Sequence, residues 1–199
     1  MIKKFDIDKA KEYGDFQMLP RGGYVCVVMG AKVEERTDGT QVIVLALDIC
    51  EGEYAAYFQQ NFNNQTGNNK IWPCRYWLNV PKDDGSEHDE WDKRKFKTFT
   101  TSLEKSNEGY KFDWDEQKFI GKIVGALFNY REFETSSGTV GEAPNLAQFR
   151  SADAIRSGDY KLPKDKKLPA PAAAPFSPMQ TATTNPADSF AALEVDIPF

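Results

Sequence analysis

Histidine is almost absent: His88 is the single one in 199 residues. Metal centres and general acid–base catalysis draw on imidazole more than on any other side chain, so its scarcity weakens most enzyme readings at once. Cysteine is scarce too. Cys26, Cys50 and Cys74 are odd in number, far apart and without a Cys-x-x-Cys pair. They read as buried or free thiols in a reducing compartment and not as a disulfide framework. No apolar run approaches the roughly 18 residues that a membrane span needs, and the opening "MIKKFDIDKAKEYG" has no apolar signal core, so neither membrane insertion nor secretion is expected. Gly-rich phosphate loops, nucleophile elbows and Cys/His pairs are missing, and no cofactor is expected. Positive charge is not in excess either: 25 Lys and Arg stand against 30 Asp and Glu, a net charge of -5. A nucleic-acid partner would therefore have to be held by local basic patches and stacking rings.

What the chain does have is aromatic and aliphatic residues, 13% and 40% respectively when the hydrophobic set is counted with its aromatics, enough for one compact core. From Leu168 the composition collapses to "LPAPAAAPFSPMQTATTNPADSFAALEVDIPF", which holds six of the eleven prolines and has no apolar period. This predicts a folded domain over residues 1–164, a disordered Pro/Ala/Thr-rich linker over 165–193 and a short terminal motif at 194–199. Residues 1–19 fit either a helix packed on the domain or an oligomerisation arm, and a homo-oligomer is possible.

Strand signals dominate the domain. Gly22–Glu35 is β-rich, with Val25, Val27, Met29 and Val33 expected on one side. Thr37–Gly39 ("TDG") is a hairpin turn signal. Thr40–Ile49 alternates, with Ile43, Leu45, Leu47 and Ile49 on one face. Glu51–Phe62 reads as a third strand. Trp91, Phe96, Phe99 and Leu103 have helical spacing, with Asp89 as a possible cap. A fourth strand is expected near Phe119 and along "FIGKIVGALFNYREFE", and a fifth within Thr139–Arg150. Three strands, a helix and two strands, mainly β, predict a five-stranded OB-fold barrel with one helix between strands 3 and 4. A sandwich or an SH3-like barrel would show similar strands but needs no helix there.

Rings and cations recur together. Tyr57, Phe58 and Phe62 lie on and after the expected third strand. Lys70, Trp72, Arg75, Tyr76 and Trp77 fall in "KIWPCRYW". Tyr130, Arg131 and Phe133 lie on the fourth strand, and Lys32 and Arg36 flank the first turn. Rings stack on bases and cations track phosphates, so this set is the candidate site for single-stranded DNA. The competing structural account is that many of these rings are core. Strand alternation keeps Tyr57 and Phe58, or Tyr130 and Arg131, from facing inward together. Trp72 and Trp77, in an otherwise polar segment, are the leading stacking candidates. The cations Lys93, Arg94, Lys95 and Lys97 read first as a solvated helix face. The acids between Asp83 and Asp92 could hold a divalent metal, as in a metal-dependent nuclease, but they sit before a helix N-terminus, where acids are favoured anyway.

The segment "EVDIPF" resembles the acidic tip of bacterial single-stranded DNA-binding proteins, which ends in an acidic run followed by Ile-Pro-Phe. The order of domain, Pro-rich linker and tip is also similar. The domain itself, in "LDICEGEYAAYFQQNFN" and "GKIVGALFNYREFE", looks more like phage-encoded proteins of that kind. The resemblance implies a non-catalytic protein that coats single-stranded DNA in replication, recombination and repair and recruits partner proteins. Phe199 would fill a partner's apolar pocket, flanked by Ile197 and Pro198 and guided by Glu194 and Asp196. Val195 interrupts the acidic run, which implies a weaker charge than the usual tip. A strand-annealing or mediator protein of recombination would carry the same features.

Overall fold

The computed structural model describes residues 17–169. The chain divides into two units, Met1–Leu168 and Pro169–Phe199. The expected linker start at 165 is corrected, because residues 165–168 pair with β4 and belong to the first unit. The rest of the expected linker from 170, and the tip, lie outside the described residues. The first unit is built on a five-stranded antiparallel sheet in the order β3-β2-β1-β4-β5. The strands are β1 (Gly22–Glu35), β2 (Gln41–Ile49), β3 (Arg75–Asn79), β4 (Ile123–Glu134) and β5 (Val140–Arg150). Among the described residues three α-helices accompany them: α1 (Tyr57–Asn64), α2 (Glu87–Ser106) and α3 (Ala152–Ser157). The expected helix between the third and fourth strands is present as α2.

β1 and β2 form the expected hairpin. Gly39 takes φ +74°, and the Asp38 side chain accepts the Thr40 amide at 2.9 Å. Ile43, Leu45, Leu47 and Ile49 are all buried on one face of β2, as its alternation predicts. The expected face of β1 is corrected. Val28 pairs with Leu47 and Gly30 with Ala46, so Met29 is an extra residue, a β-bulge. The core takes Cys26 and Val28 before the bulge and Ala31 after it, while Met29 is exposed.

The expected third strand over Glu51–Phe62 is also corrected: its second half is α1. Gly52 at φ +83° and Ala56 at φ +59° turn the chain, and buried Asp48 accepts the amides of Ile49 and Phe58, both at 2.9 Å. Tyr54, Phe58 and Phe62 recur every four residues, a spacing that fits one face of a strand, but α1 begins only at Tyr57 and Tyr54 lies in the turn before it. The helix satisfies the backbone of an Asn/Gln-rich segment locally. The true third strand is the five-residue β3, which pairs with β2.

Ser86, not Asp89, caps α2, its Oγ accepting the Asp89 amide at 3.2 Å. Phe96, Phe99 and Leu103 are buried as predicted, but Trp91 is 55% exposed and Asp92 takes the inward position beside it. Phe119 precedes β4 in a short 3-10 turn and is fully buried.

α2 packs against β3, β4 and β5, and the sheet is open between β3 and β5. Side chains span that gap: Tyr76 of β3 meets Phe149 of β5 at 4.9 Å between ring centroids, and Phe149 meets Phe99 of α2 at 4.8 Å. On the far side, residues 164–168 run beside β4. Lys166 donates to Tyr130 O at 2.8 Å and accepts from the Glu132 amide at 2.9 Å, which covers a strand edge that would otherwise be free.

Candidate nucleic-acid interface

The bulge in β1 decides what faces outward on the sheet. Beyond it, Lys32, Val44 and Trp77 form one cross-strand row, and Gly30, Ala46 and Arg75 the next. These rows lie on the face opposite Ala31, Leu45 and Tyr76, which point into the core. Trp77 is 48% exposed. The Arg75 guanidinium lies 5.1 Å from the Trp77 ring centroid, within cation–π range. Gly30 and Ala46 keep the neighbouring row low: a Cβ added at Gly30 would meet only Ala46 Cβ, at 3.8 Å. A broad ring and a planar cation thus rise from a flat floor. Lys32 at the margin is shared with Glu34 at 3.1 Å, so its charge is partly offset, and Arg36 is exposed in the adjoining loop.

The other candidate residues fall in different places. Phe62, Lys70 and Trp72 form a group beside β2. Phe62 and Trp72 are 5.4 Å apart, and Lys70 caps the Asn63 carbonyl at 3.0 Å. Trp72 is half-buried, and its Nε1 donates to the Leu47 carbonyl at 2.8 Å, so it is anchored to the sheet where an exposed platform was expected. Phe58 is a core ring against Phe128. The Tyr57 hydroxyl is used by Gln17 O and the Leu19 amide, both at 3.0 Å. The strand-alternation argument for this pair does not apply, because both lie on α1. Tyr76 points into the core, and burial, with Asp92 nearby, raises its hydroxyl above the ordinary value.

On the β4–β5 hairpin, Tyr130 is covered by Arg21, whose guanidinium sits 4.2 Å above the ring and pairs with Asp165 at 2.7 Å. Arg131 is exposed. Phe133 is 39% exposed and lies against Gly141, where an added Cβ would meet the ring at 2.9 Å. Exposed Trp91 and Trp114 were not among the expected site residues. For Trp91 the helical spacing was misleading, and Trp114 stands in an acidic setting that gave no nucleic-acid signal.

Asp83, Asp84, Asp89, Glu90 and Asp92 of the acidic run are engaged in hydrogen bonds or ion pairs within the fold. Asp89 Oδ1 accepts the amides of Lys82 and Asp83 at 2.8 and 3.0 Å, and Lys93 Nζ lies 3.0 Å from Oδ2. Burial alone would raise this carboxyl, but Lys93 and the two amides hold it below the usual range. Asp92 accepts from Asn79 Nδ2 at 3.1 Å. Among the described residues, no group of three or more His, Cys, Asp or Glu side chains could hold a metal. Cys26 and Cys74 are buried, Cys50 is exposed, and all three are free; burial pushes the Cys74 thiol up to about 12. Among the described residues no helix is long and apolar enough to cross a membrane. No protein-family model matches the chain, and no curated protein matches it either.

Proposed function

We propose that this is a non-catalytic single-stranded DNA-binding protein whose domain is an OB fold. The observation that carries the reading is the Arg75–Trp77 pair standing on the low Gly30/Ala46 floor of the β2–β3 face. In OB folds that face and its adjoining loops hold oligonucleotides, and an exposed indole beside cations is the chemistry of base stacking and phosphate contact. The strand order β3-β2-β1-β4-β5, with a helix between β3 and β4 and ring contacts across the β3–β5 gap, supports the OB assignment. In this reading the protein coats single strands during replication, recombination and repair.

Titration of the full chain with a poly-thymidine oligonucleotide, followed by tryptophan fluorescence at two salt concentrations, tests it. Quenching by the single strand, weakened by salt, with little response to a duplex is expected. An equal response to both, or none, overturns the reading.

The tip residues Glu194, Asp196, Ile197, Pro198 and Phe199 lie outside the described residues. By their resemblance to the bacterial tip they supply the recruiting half of the proposal. Deleting residues 197–199 is expected to abolish recovery of replication and repair proteins while leaving affinity for DNA equal or slightly higher. Undiminished recovery removes the recruiting role.

A further inference from the structure

Outside the sheet face, a groove of about 590 Å³ lies between α2, the end of β5 and α3. Four cations line it, Arg94, Lys97, Lys105 and Arg150, against one carboxylate, Asp159. None of the four has a carboxylate within ion-pair distance among the described residues. Lys93, one residue away on the same helix, is in the opposite condition. Asp83, Asp89 and Glu90 hold it at 2.6, 3.0 and 3.0 Å and push its pKa well up. α2 thus keeps one lysine for its own loop, while its groove cations have no carboxylate partner among the described residues.

The exposed stripe of α2 continues this groove. Residues 91, 94, 98, 101 and 105 are spaced three and four apart, so they share one helix face. The run from Trp91 to Lys105 covers about 21 Å at 1.5 Å per residue. Trp91 stands at its N-terminal end with Lys95 Nζ 5.1 Å from the ring centroid, the same cation–indole pairing that Arg75 makes with Trp77. Arg94 belongs both to the groove and to the hollow around Trp91, where Glu87 and Glu90 also lie. Those two acids place the favourable ground for phosphates on the Arg94–Lys105 side and leave the indole as a base platform at its end.

We infer that the α2 groove is a second contact for the same single strand: Arg94, Lys97, Lys105 and Arg150 take successive phosphates and Trp91 stacks on a base. The inference rests on the single-strand reading of the sheet face and adds a separate track on the helix side. A strand long enough to leave the β2–β3 face would engage it, and a short one would not. Cations repeated along an extended groove with a flat ring at one end match a chain that repeats anions and planar groups. Each phosphate released from its counterions adds about 0.7 to the salt slope for a single strand.

The test compares the full chain with its Arg94→Gln, Lys97→Gln, Lys105→Gln triple variant and with Trp91→Ala, using poly-thymidine oligonucleotides of increasing length across a salt series. All four positions are exposed, so folding is expected to survive, which circular dichroism checks. A second triple variant, Lys164→Gln, Lys166→Gln, Lys167→Gln, makes the same change in net charge on the exposed segment beside β4. For short strands all proteins should bind alike. For long strands the groove variant should lose roughly two units of salt slope, reach its maximal affinity at a shorter length and cover fewer nucleotides. Trp91→Ala should lose roughly fivefold or more on long strands only.

Identical slopes and lengths in wild type and groove variant overturn the inference while the sheet-face reading stands. An equal change in the control variant reduces the effect to net charge and overturns it as well. Tighter DNA binding by the groove variant would assign the groove to an acidic segment of the protein itself. A wild type that binds no strand of any length removes both readings together.

Discussion

Trp77→Ala is expected to bind a poly-thymidine strand about 1–3 kcal/mol more weakly, roughly 5- to 150-fold, with thermal stability unchanged. The separation of the two effects follows from its place. Trp77 is nearly half exposed, and its one close polar partner is Arg75, itself exposed. Removing the ring empties no cavity and orphans no buried group. Trp72→Ala should behave in the opposite way. That ring is half-buried against Phe62, and its Nε1 satisfies the Leu47 carbonyl, so truncation costs stability first and affinity only as the strand edge loosens. Oligonucleotide titration and thermal melting of the two variants side by side give the result. Equal affinity of Trp77→Ala and wild type would remove the sheet face as the binding surface.

Phe149→Ala is expected to cost about 3–5 kcal/mol of folding stability, the range for truncating a buried aromatic. Phe149 is 3% exposed and touches Tyr76 on one side and Phe99 on the other. It is the ring through which the two sheet edges and α2 meet. β3 is only five residues long and hydrogen-bonds to β2 alone, so its outer side depends on Tyr76 and Leu78 being packed. Losing Phe149 should therefore also raise amide exchange in β3 more than in β1, and Phe149→Leu, which keeps most of the apolar volume, should lose much less. Denaturant unfolding of both variants measures the first effect and hydrogen exchange the second. A loss under 1 kcal/mol for Phe149→Ala would mean that the gap between β3 and β5 is held by other contacts.

The parts of the fold that could be read from the residues are those fixed by local pattern. Ile43, Leu45, Leu47 and Ile49 alternate without interruption, and "TDG" supplies a turn with one conformation. The five strands and the helix between the third and fourth could be recovered as well, but α1 between β2 and β3 and α3 after β5 are not in the expected order, and the third strand lies later than expected. Two features compete over residues 51–79. Tyr54, Tyr57 and Phe58 favour strands by residue type, but Asp48 draws the Phe58 amide into a helix start, a contact ten residues apart that no local pattern reveals. β3 is then short and follows Pro73, so it gives little signal of its own.

The bulge at Met29 depends on how β1 registers against β2, and alternation read along β1 alone assigns the wrong face. In the site, Trp77 stands out as the polar character of its segment implied. Trp72 does not, because a backbone carbonyl lies within reach of its indole N–H. Trp91 shows the limit of helical spacing. A period of 3.6 says that Trp91 and Asp92 lie on neighbouring faces, and the Asn79 side-chain amide of β3 meets the aspartate on the inward side.

The extra residue in β1 also governs how this protein tolerates insertions and deletions. A deletion elsewhere within the paired part of the strand would shift one side of the cut by one position and exchange buried for exposed side chains along it. Removal of Met29 alone would leave Cys26, Val28, Ala31 and Val33 in unbroken alternation and keep Gly30 and Lys32 facing outward. β1 therefore has one spare residue, at the point where its two halves meet. A homologue with a thirteen-residue first strand would preserve every face and differ chiefly in local twist, and with it in the angle at which Lys32 approaches Trp77.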